Sequence, residues 1–263
     1  MSVHHVALIT GASAGIGEAT ARRLAAGGWR VVLAARSEGR LRALAEELDA
    51  AHGAGTAFVL PLDVRDAERW GAAAGVLPPG WAPDAAVLNA GLALNLVPVW
   101  ENSVDEIDRM VDTNIKGVLH GIRALVPGML ERRRGHLVLI GSTAAYGTYP
   151  GGVIYSATKH AIRALALGLK MDLHGTPVRV TCVSPGLTET EFSLVRFEGD
   201  AGRAAPVYAE TVPLKPDDVA AAIAYALDAP ARANVQEVLL TPRAQSGISM
   251  IARGDVAEPL RGE

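Results

Sequence analysis

Only one cysteine, Cys182, occurs in 263 residues, so no disulfide can form within the chain and a reducing compartment is its natural setting. A basic block is missing as well: the formal charge is −3, and Lys and Arg are spread along the chain. That excludes the continuous cationic stripe required by nucleic acid or an anionic membrane, and favours a small-molecule partner. Long apolar runs are lacking too. The longest tract, AAVLNAGLALNLVPVW, is broken by two asparagines and a proline and falls short of a membrane span. The opening MSVHHVALITGAS has no basic leader, so the expectation is a soluble, cytoplasmic protein. No internal repeat, low-complexity tract or linker divides the chain.

What is present is a large apolar fraction, 49%, beside 20% charged residues, which suits a well-filled interior and excludes disorder by composition. Short β-rich runs, VALIT, RVVLAA, TAFVLPL, DAAVLN, HLVLIG, VRVTCVS and EVLL, alternate with segments of helical character. Such alternation predicts an α/β fold: one parallel sheet of about seven strands with helices on both faces. Residues 104 to 130 form the best helical pattern, with Ile107, Met110, Val111, Ile115, Val118, Ile122, Leu125, Val126 and Met129 making one continuous apolar stripe. Residues 187 to 216 show no clear period and are the candidate lid. The catalytic domain is expected over 1–245. The polar, glycine-containing tail, 246–263, receives no role.

TGASAGIG follows the first run directly and opens a helical stretch. Glycines there allow a tight turn and let backbone N–H groups approach a pyrophosphate at the positive end of a helix. Alone, the GxxxGxG spacing is equally the mark of an ordinary strand-to-helix turn. The second run ends in VVLAARSE, where an NAD enzyme places an acid for the ribose 2′-hydroxyl. Here Ala35 and then Arg36 stand instead, an arrangement that suits a 2′-phosphate and hence NADP. A solvated Arg36 and an acidic role for Glu38 are the alternatives.

In YSATK, Tyr155 and Lys159 lie four residues apart and share a face if the segment is helical. Alcohol oxidation near neutrality needs a base roughly three units below a free tyrosine, a differential stabilisation of about 4 kcal/mol. One positive charge about 4 Å away, at an effective dielectric of about twenty, supplies that much. The expectation is therefore a phenol made acidic by its lysine. Ser142 ends the run HLVLIG, and the carboxyl ends of parallel strands face the ligand crevice. Ser142, the glycine turn and the start of the tyrosine helix should meet at one edge of the sheet.

TGASAGIG, Asp63–Val64, the NAG of residues 89 to 91, Asn114, Ser142, YSATK and the PGLTET of residues 185 to 190 occur in an order that resembles the short-chain dehydrogenase/reductase family, over residues 6 to about 241. That resemblance implies a single-domain, Rossmann-like doubly wound sheet. It also implies that Tyr155 exchanges the proton, that Ser142 hydrogen-bonds the reacting oxygen, and that Lys159 grips the nicotinamide ribose and lowers the tyrosine pKa. Asn114, interrupting its helix, would hold a water that links Lys159 to solvent. For the cofactor it implies contacts from Gly11, Ser13, Gly15, Ile16 and Gly17, from Asp63 and Val64 beside the adenine, from Asn89, Ala90 and Gly91 along the channel, and from Pro185, Gly186, Thr188 and Thr190 over the nicotinamide. No metal is called for, and a homotetramer is the implied assembly. Two positions depart from the family pattern. Leu88 stands where an asparagine is usual, and Ala14 stands where many NADP members carry a basic or hydroxyl residue.

DLHGTPVRV, GLTETEF, VRFEGD and DDVAAAIAYAL are most similar to the family's NADP-dependent 3-hydroxy acid dehydrogenases. That resemblance implies short substrates such as serine, L-allo-threonine or 3-hydroxyisobutyrate. A larger carbonyl compound or a 3-oxoacyl chain is the alternative, and a redox-sensing binding protein without turnover is a further one. A carboxylate in a closed pocket calls for a cation. Arg196 is the leading candidate, with Arg203 and Lys215 behind it.

Overall fold

Strand β1 (Val6–Thr10) pairs in parallel with β2 (Arg30–Ala35) on one side and with β4 (Ala85–Leu88) on the other. The strand order therefore reverses between β1 and β4, and the crevice above their carboxyl ends is where an open α/β sheet binds ligands. In this computed structural model, which describes residues 5–254, the sheet is completed by β3 (Ala57–Pro61), β5 (Gly135–Ile140), β6 (Val178–Pro185) and β7 (Glu237–Leu240). The order is β3-β2-β1-β4-β5-β6-β7, all parallel.

Alternation along the strands assigns the two faces. Ala7, Ile9, Val31, Leu33, Val87 and Val138 point into one core with α1 (Gly15–Ala26), α2 (Glu38–His52) and α9 (Pro216–Asp228). Leu8, Val32, Ala34, Ala86, Leu137 and Leu139 point into the other. There they meet α3 (Ala67–Val76), α5 (Gly117–Glu131) and α6 (Val153–Asp172). Burial on both faces explains why these strands read as near-continuous apolar runs. No helix among the described residues is long and apolar enough to cross a membrane.

Three sequence expectations change in detail. The stripe at 104 to 130 is interrupted: α4 (Val104–Val111) passes into a π-helical turn, Asp112–Lys116, before α5 resumes. The extra residue of such a turn leaves the apolar spacing almost unaltered, so periodicity alone does not reveal it. The segment 187 to 216 holds two short helices, α7 (Phe192–Arg196) and α8 (Ala201–Tyr208). Five and eight residues are too few to display a 3.6-residue period. The tail, finally, contributes structure: Gln245 and Ile251 form an antiparallel bridge. Its remainder from 255 onward lies outside the described residues.

Candidate active site

A cleft of about 600 Å³ opens above β1 and β4. Its floor begins at the turn from β1 into α1, where Gly11 and Gly15 adopt φ of +66° and +56°, values that favour glycine. A Cβ on Gly17 would overlap the Gly11 carbonyl oxygen, so the turn closes only with glycine there. Ala14 occupies the N-cap of α1 in extended conformation and offers no side-chain cap. The first N–H groups of α1 are thus left for a ligand, as an anion-binding helix start requires. Gly11, Ser13, Gly15 and Ile16 line this end of the cleft, as do Arg36 and Arg40. Gly17 supports the turn from behind.

The neighbouring strand end is held by Thr10. Its hydroxyl accepts hydrogen bonds from the backbone N–H groups of Asn89 and Ala90, both at 2.9 Å, and Asn89 Nδ2 donates to the Thr10 carbonyl at 2.9 Å. Leu88 is therefore free to be buried in the core, which accounts for its departure from the family pattern. Asn89, Ala90 and Gly91 line the cleft. Asp63 and Val64 do not. Asp63 lines a separate recess of about 560 Å³ together with Arg36 and Arg65. Arg65 binds the Asp63 carboxylate at 2.7 Å and holds its pKa below the usual value. Val64 is buried, packs where Gly117 lacks a Cβ, and accepts from Trp70 Nε1 at 3.1 Å.

Ser142, Tyr155 and Lys159 all line the cleft. Ser142 follows β5 and accepts from the Ala144 N–H at 3.1 Å, while Tyr155 lies on the first turn of α6. Lys159 is buried, and its Nζ donates to the Ile140 carbonyl at 2.8 Å. Asn114, in the π-helical turn and buried, is joined to the Leu92 backbone and donates to Thr158 Oγ1 at 3.0 Å. Thr158 in turn donates to the Tyr155 carbonyl at 2.7 Å. The turn, the strand-end loop and the tyrosine helix are thereby locked together.

Burial sets the starting electrostatics of the phenol and its lysine. Burial pushes the Tyr155 phenol up, and the groups that oppose it are first the Arg196 guanidinium and then a hydrogen bond from Ser142. Lys159 is itself lowered by burial to about 8. Its Nζ lies 5.7 Å from the Tyr155 ring centroid, so the ammonium and the aromatic ring are neighbours in the cleft.

The segment after β6 closes the cleft from above. Pro185, Gly186, Thr188 and Thr190 line it, and Thr190 stands over Gly15. From α7, Arg196 stacks its guanidinium 5.4 Å from the Tyr155 ring centroid and 5.3 Å from that of Phe192, and donates to the Tyr149 hydroxyl at 3.1 Å. Its Nε is buried with no hydrogen-bond partner among the described residues. Arg203 and Lys215 do not line the cleft; Arg203 donates to Asn95 at 3.2 Å. Sequence reasoning missed Tyr149, Gln245, Ile248 and Ile251, which also line the cleft. Gln245 Oε1 accepts from the Leu187 N–H at 2.8 Å. Tyr149 sits in the turn-rich TYPGG ahead of α6, a loop aromatic between two site elements, which was a usable signal; Gln245 carried none.

The uncapped α1, the glycine cradle and the Ser142, Tyr155 and Lys159 side chains agree with comparisons to known proteins. Residues 5–200 match the family model described as short chain dehydrogenase. The NADP-dependent 3-hydroxy acid dehydrogenase YdfG of Salmonella typhi is 43% identical over 243 residues, covering 92% of this chain and 96% of that protein. Serine 3-dehydrogenase of Agrobacterium fabrum is 40% identical over 241 residues, covering 91% and 94%. The closed form of a serine dehydrogenase complexed with NADP+ superposes with a TM-score of 0.89 at 41% identity, covering 94% of this chain and 99% of that one. The chain belongs to the short chain dehydrogenase family.

Proposed function

We propose that the protein is an NADP(H)-dependent oxidoreductase that interconverts the hydroxyl and carbonyl groups of short 3-hydroxy acids, of the serine, L-allo-threonine, 3-hydroxyisobutyrate or 3-hydroxypropionate type. One observation carries the substrate class: the buried Arg196 Nε beside Tyr155, without a partner among the described residues, is a cationic donor waiting for an acceptor. A buried donor left unpaired is costly, and a carboxylate two carbons from the reacting hydroxyl would satisfy it with a charge-assisted bond. The names of the relatives support the same class.

The cradle fits the cofactor on this chain's own residues. Gly11, Ser13, Gly15 and Ile16 together with the N–H groups of α1 would receive the pyrophosphate, and Arg36 would meet the 2′-phosphate. Bound NADP supplies the acceptor or donor of the hydride. In the oxidising direction Tyr155 takes the proton of the substrate hydroxyl, while Ser142 orients the reacting oxygen. Lys159 holds the ribose side of the cleft. Arg196 fixes the carboxylate, and Thr190, Phe192 and the turn of Ile248 shield the reacting atoms from water.

The catalytic unit expected over 1–245, with 187–216 as its lid, is extended through Ala252, because Ile248 and Ile251 line the cleft. Exposed apolar side chains on the α4–α5 and α6 surfaces, Val104, Leu119, Leu130, Val153, Leu167 and Met171, support a homotetramer, and the cytoplasm is the proposed compartment. The test is a turnover screen of serine, 3-hydroxyisobutyrate and a bulky ketone with NADP+ or NADPH and with NAD+ or NADH. Turnover of the small acids with NADP+ is expected; activity confined to the bulky ketone discards the carboxylate reading.

A further inference from the structure

We propose that Arg40 is a specificity-determining residue that joins the cofactor cleft to the lid: one edge of its guanidinium clasps Glu191 at the start of α7, and the edge left open takes the 2′-phosphate of NADP(H), so the cofactor that is selected is also the one retained. The inference rests on the NADP(H) reading of the cleft and goes beyond it, since that reading gave the phosphate to Arg36 alone and left the Arg40–Glu191 pair without a task.

Arg40 lies on the first turn of α2 and lines the cleft together with Arg36, Ser37, Ser13 and Ala14. A phosphate carrying up to about two negative charges is poorly matched by one cation, and Ala14 supplies none. Glu38, the acid that would favour a bare 2′-hydroxyl, does not line the cleft; Arg42 Nε holds its carboxylate at 3.0 Å. Arg22 shares a smaller recess with Arg40 and Glu191, but it is already paired with Glu18 at 2.7 Å and with Glu47 at 2.8 Å. Arg40 Nη1 donates to Glu191 Oε2 at 2.8 Å, and this is its only side-chain hydrogen bond among the described residues. Its Nε and Nη2 keep their donors for a second anion, in the planar fork that suits a phosphate.

The clasp closes over the cofactor cradle. Thr190 stands over Gly15, and Glu191, the N-cap of α7, lines the cleft, so this stretch crosses the glycine turn and reaches α2 at a residue 151 positions away. A pyrophosphate seated on the turn would lie beneath that crossing. The base of the lid is fixed elsewhere: the Leu187 N–H donates to Gln245, and the Glu189 N–H to the Leu214 carbonyl at 2.8 Å. Thr190 is spent within the lid, accepting from the Phe192 N–H at 3.1 Å. The tie from the start of α7 to α2 is therefore Arg40. Its side chain and that of Glu191 are 58% and 54% exposed, so the bond is weak enough to be made and broken at each turnover. Lids that must open in this way commonly set the rate of release.

The test is the dissociation rate of NADPH, followed by stopped-flow fluorescence against excess NADP+, in the parent, Glu191→Gln, Arg40→Gln and the double variant. Glu191→Gln should speed release about two- to fivefold, the range of an exposed ion pair. Arg40→Gln should speed it by about tenfold or more, because the phosphate contact is lost with the clasp. Adding Glu191→Gln to Arg40→Gln should change nothing further, as coupled partners require. Glu189→Gln, which removes a neighbouring exposed carboxylate from the same stretch, should leave release unchanged. NADH, which lacks the phosphate, should lose affinity equally in the two single variants. A further readout needs no cofactor: amide hydrogen exchange over residues 190 to 196 should rise to the same level in Glu191→Gln and Arg40→Gln. Release unmoved by Glu191→Gln, release moved as much by Glu189→Gln, or effects that add in the double variant overturn the clasp. An Arg40→Gln loss as large for NADH as for NADPH overturns the phosphate contact. A parent that binds NADH as tightly as NADPH overturns instead the NADP(H) reading beneath both.

Discussion

Asn114 and Leu92 exchange two hydrogen bonds: the Leu92 N–H donates to Asn114 Oδ1 at 2.8 Å, and Asn114 Nδ2 donates to the Leu92 carbonyl at 2.8 Å. One side chain in a π-helical turn thus replaces a strand partner for the loop after β4. Asn114→Ala leaves both Leu92 groups without these partners in a buried place. We expect a loss of about 2 to 4 kcal/mol in stability by urea denaturation. Asn114→Asp should recover only the Leu92 N–H bond, and less of the stability.

Tyr155→Phe removes the hydroxyl proposed to exchange the proton and leaves the ring against Phe192, 5.6 Å away between centroids. Turnover should fall by at least about 10²-fold. NADPH binding, followed by fluorescence, should change little. Persistence of full activity in this variant removes Tyr155 from its assigned role.

Arg36 lines the cleft next to Ser37 and Arg40, and Arg40 is paired with Glu191 at 2.8 Å, a bond between α2 and the start of the lid. Arg36→Ala should weaken NADPH binding by about tenfold or more while leaving NADH binding almost unchanged, since only one cofactor carries the 2′-phosphate. The pair of dissociation constants measures this directly. Equal losses for both cofactors would show that Arg36 acts on the turn and not on the phosphate.

His136 is buried in β5, far from the chemistry. Thr181 donates its hydroxyl to the Val235 carbonyl at 2.6 Å, so at 2.8 Å it must accept from His136 Nε2–H, leaving Nδ1 bare and without a partner among the described residues. Burial, aided by Arg179, lowers the ring's pKa from 6.5 to about 3. The unfolded chain therefore binds a proton below about 6.5 that the folded chain refuses until about 3. This contribution to stability is complete above about 6.5 and falls as pH drops between those values, with a limiting slope of about 1.4 kcal/mol per unit. His136→Met should flatten that part of the stability curve in denaturant titrations at several pH values.

The sheet was legible because parallel strands buried on two faces advertise themselves as apolar runs; VALIT, RVVLAA and EVLL coincide with β1, β2 and β7. The π-helical turn at Asn114 and the helices at 192 and 201 were not, since all three span too few turns for a period to stand out. At the site, Ser142, Tyr155 and Lys159 converge on one cleft, as their strand-end and helix-start positions implied. The charge relations did not follow from spacing. Four residues on a helix guarantee a shared face but not which acceptor the ammonium takes, and the hydrogen bond from Lys159 to the Ile140 carbonyl is a tertiary contact. Arg196 was singled out only because a carboxylate needs a cation, and its stacking on Tyr155 is a tertiary fact no local pattern encodes.

The strap that runs from Gln245 to Ile251 has a practical consequence for anyone shortening the molecule. Gln245 holds the Leu187 N–H, the Ala252 N–H returns to the Ala244 carbonyl, and Ile248 and Ile251 furnish part of the chamber wall. A deletion beginning at residue 245 would not trim an appendage but unroof the reaction space, so a minimal version of this enzyme must extend at least through Ala252.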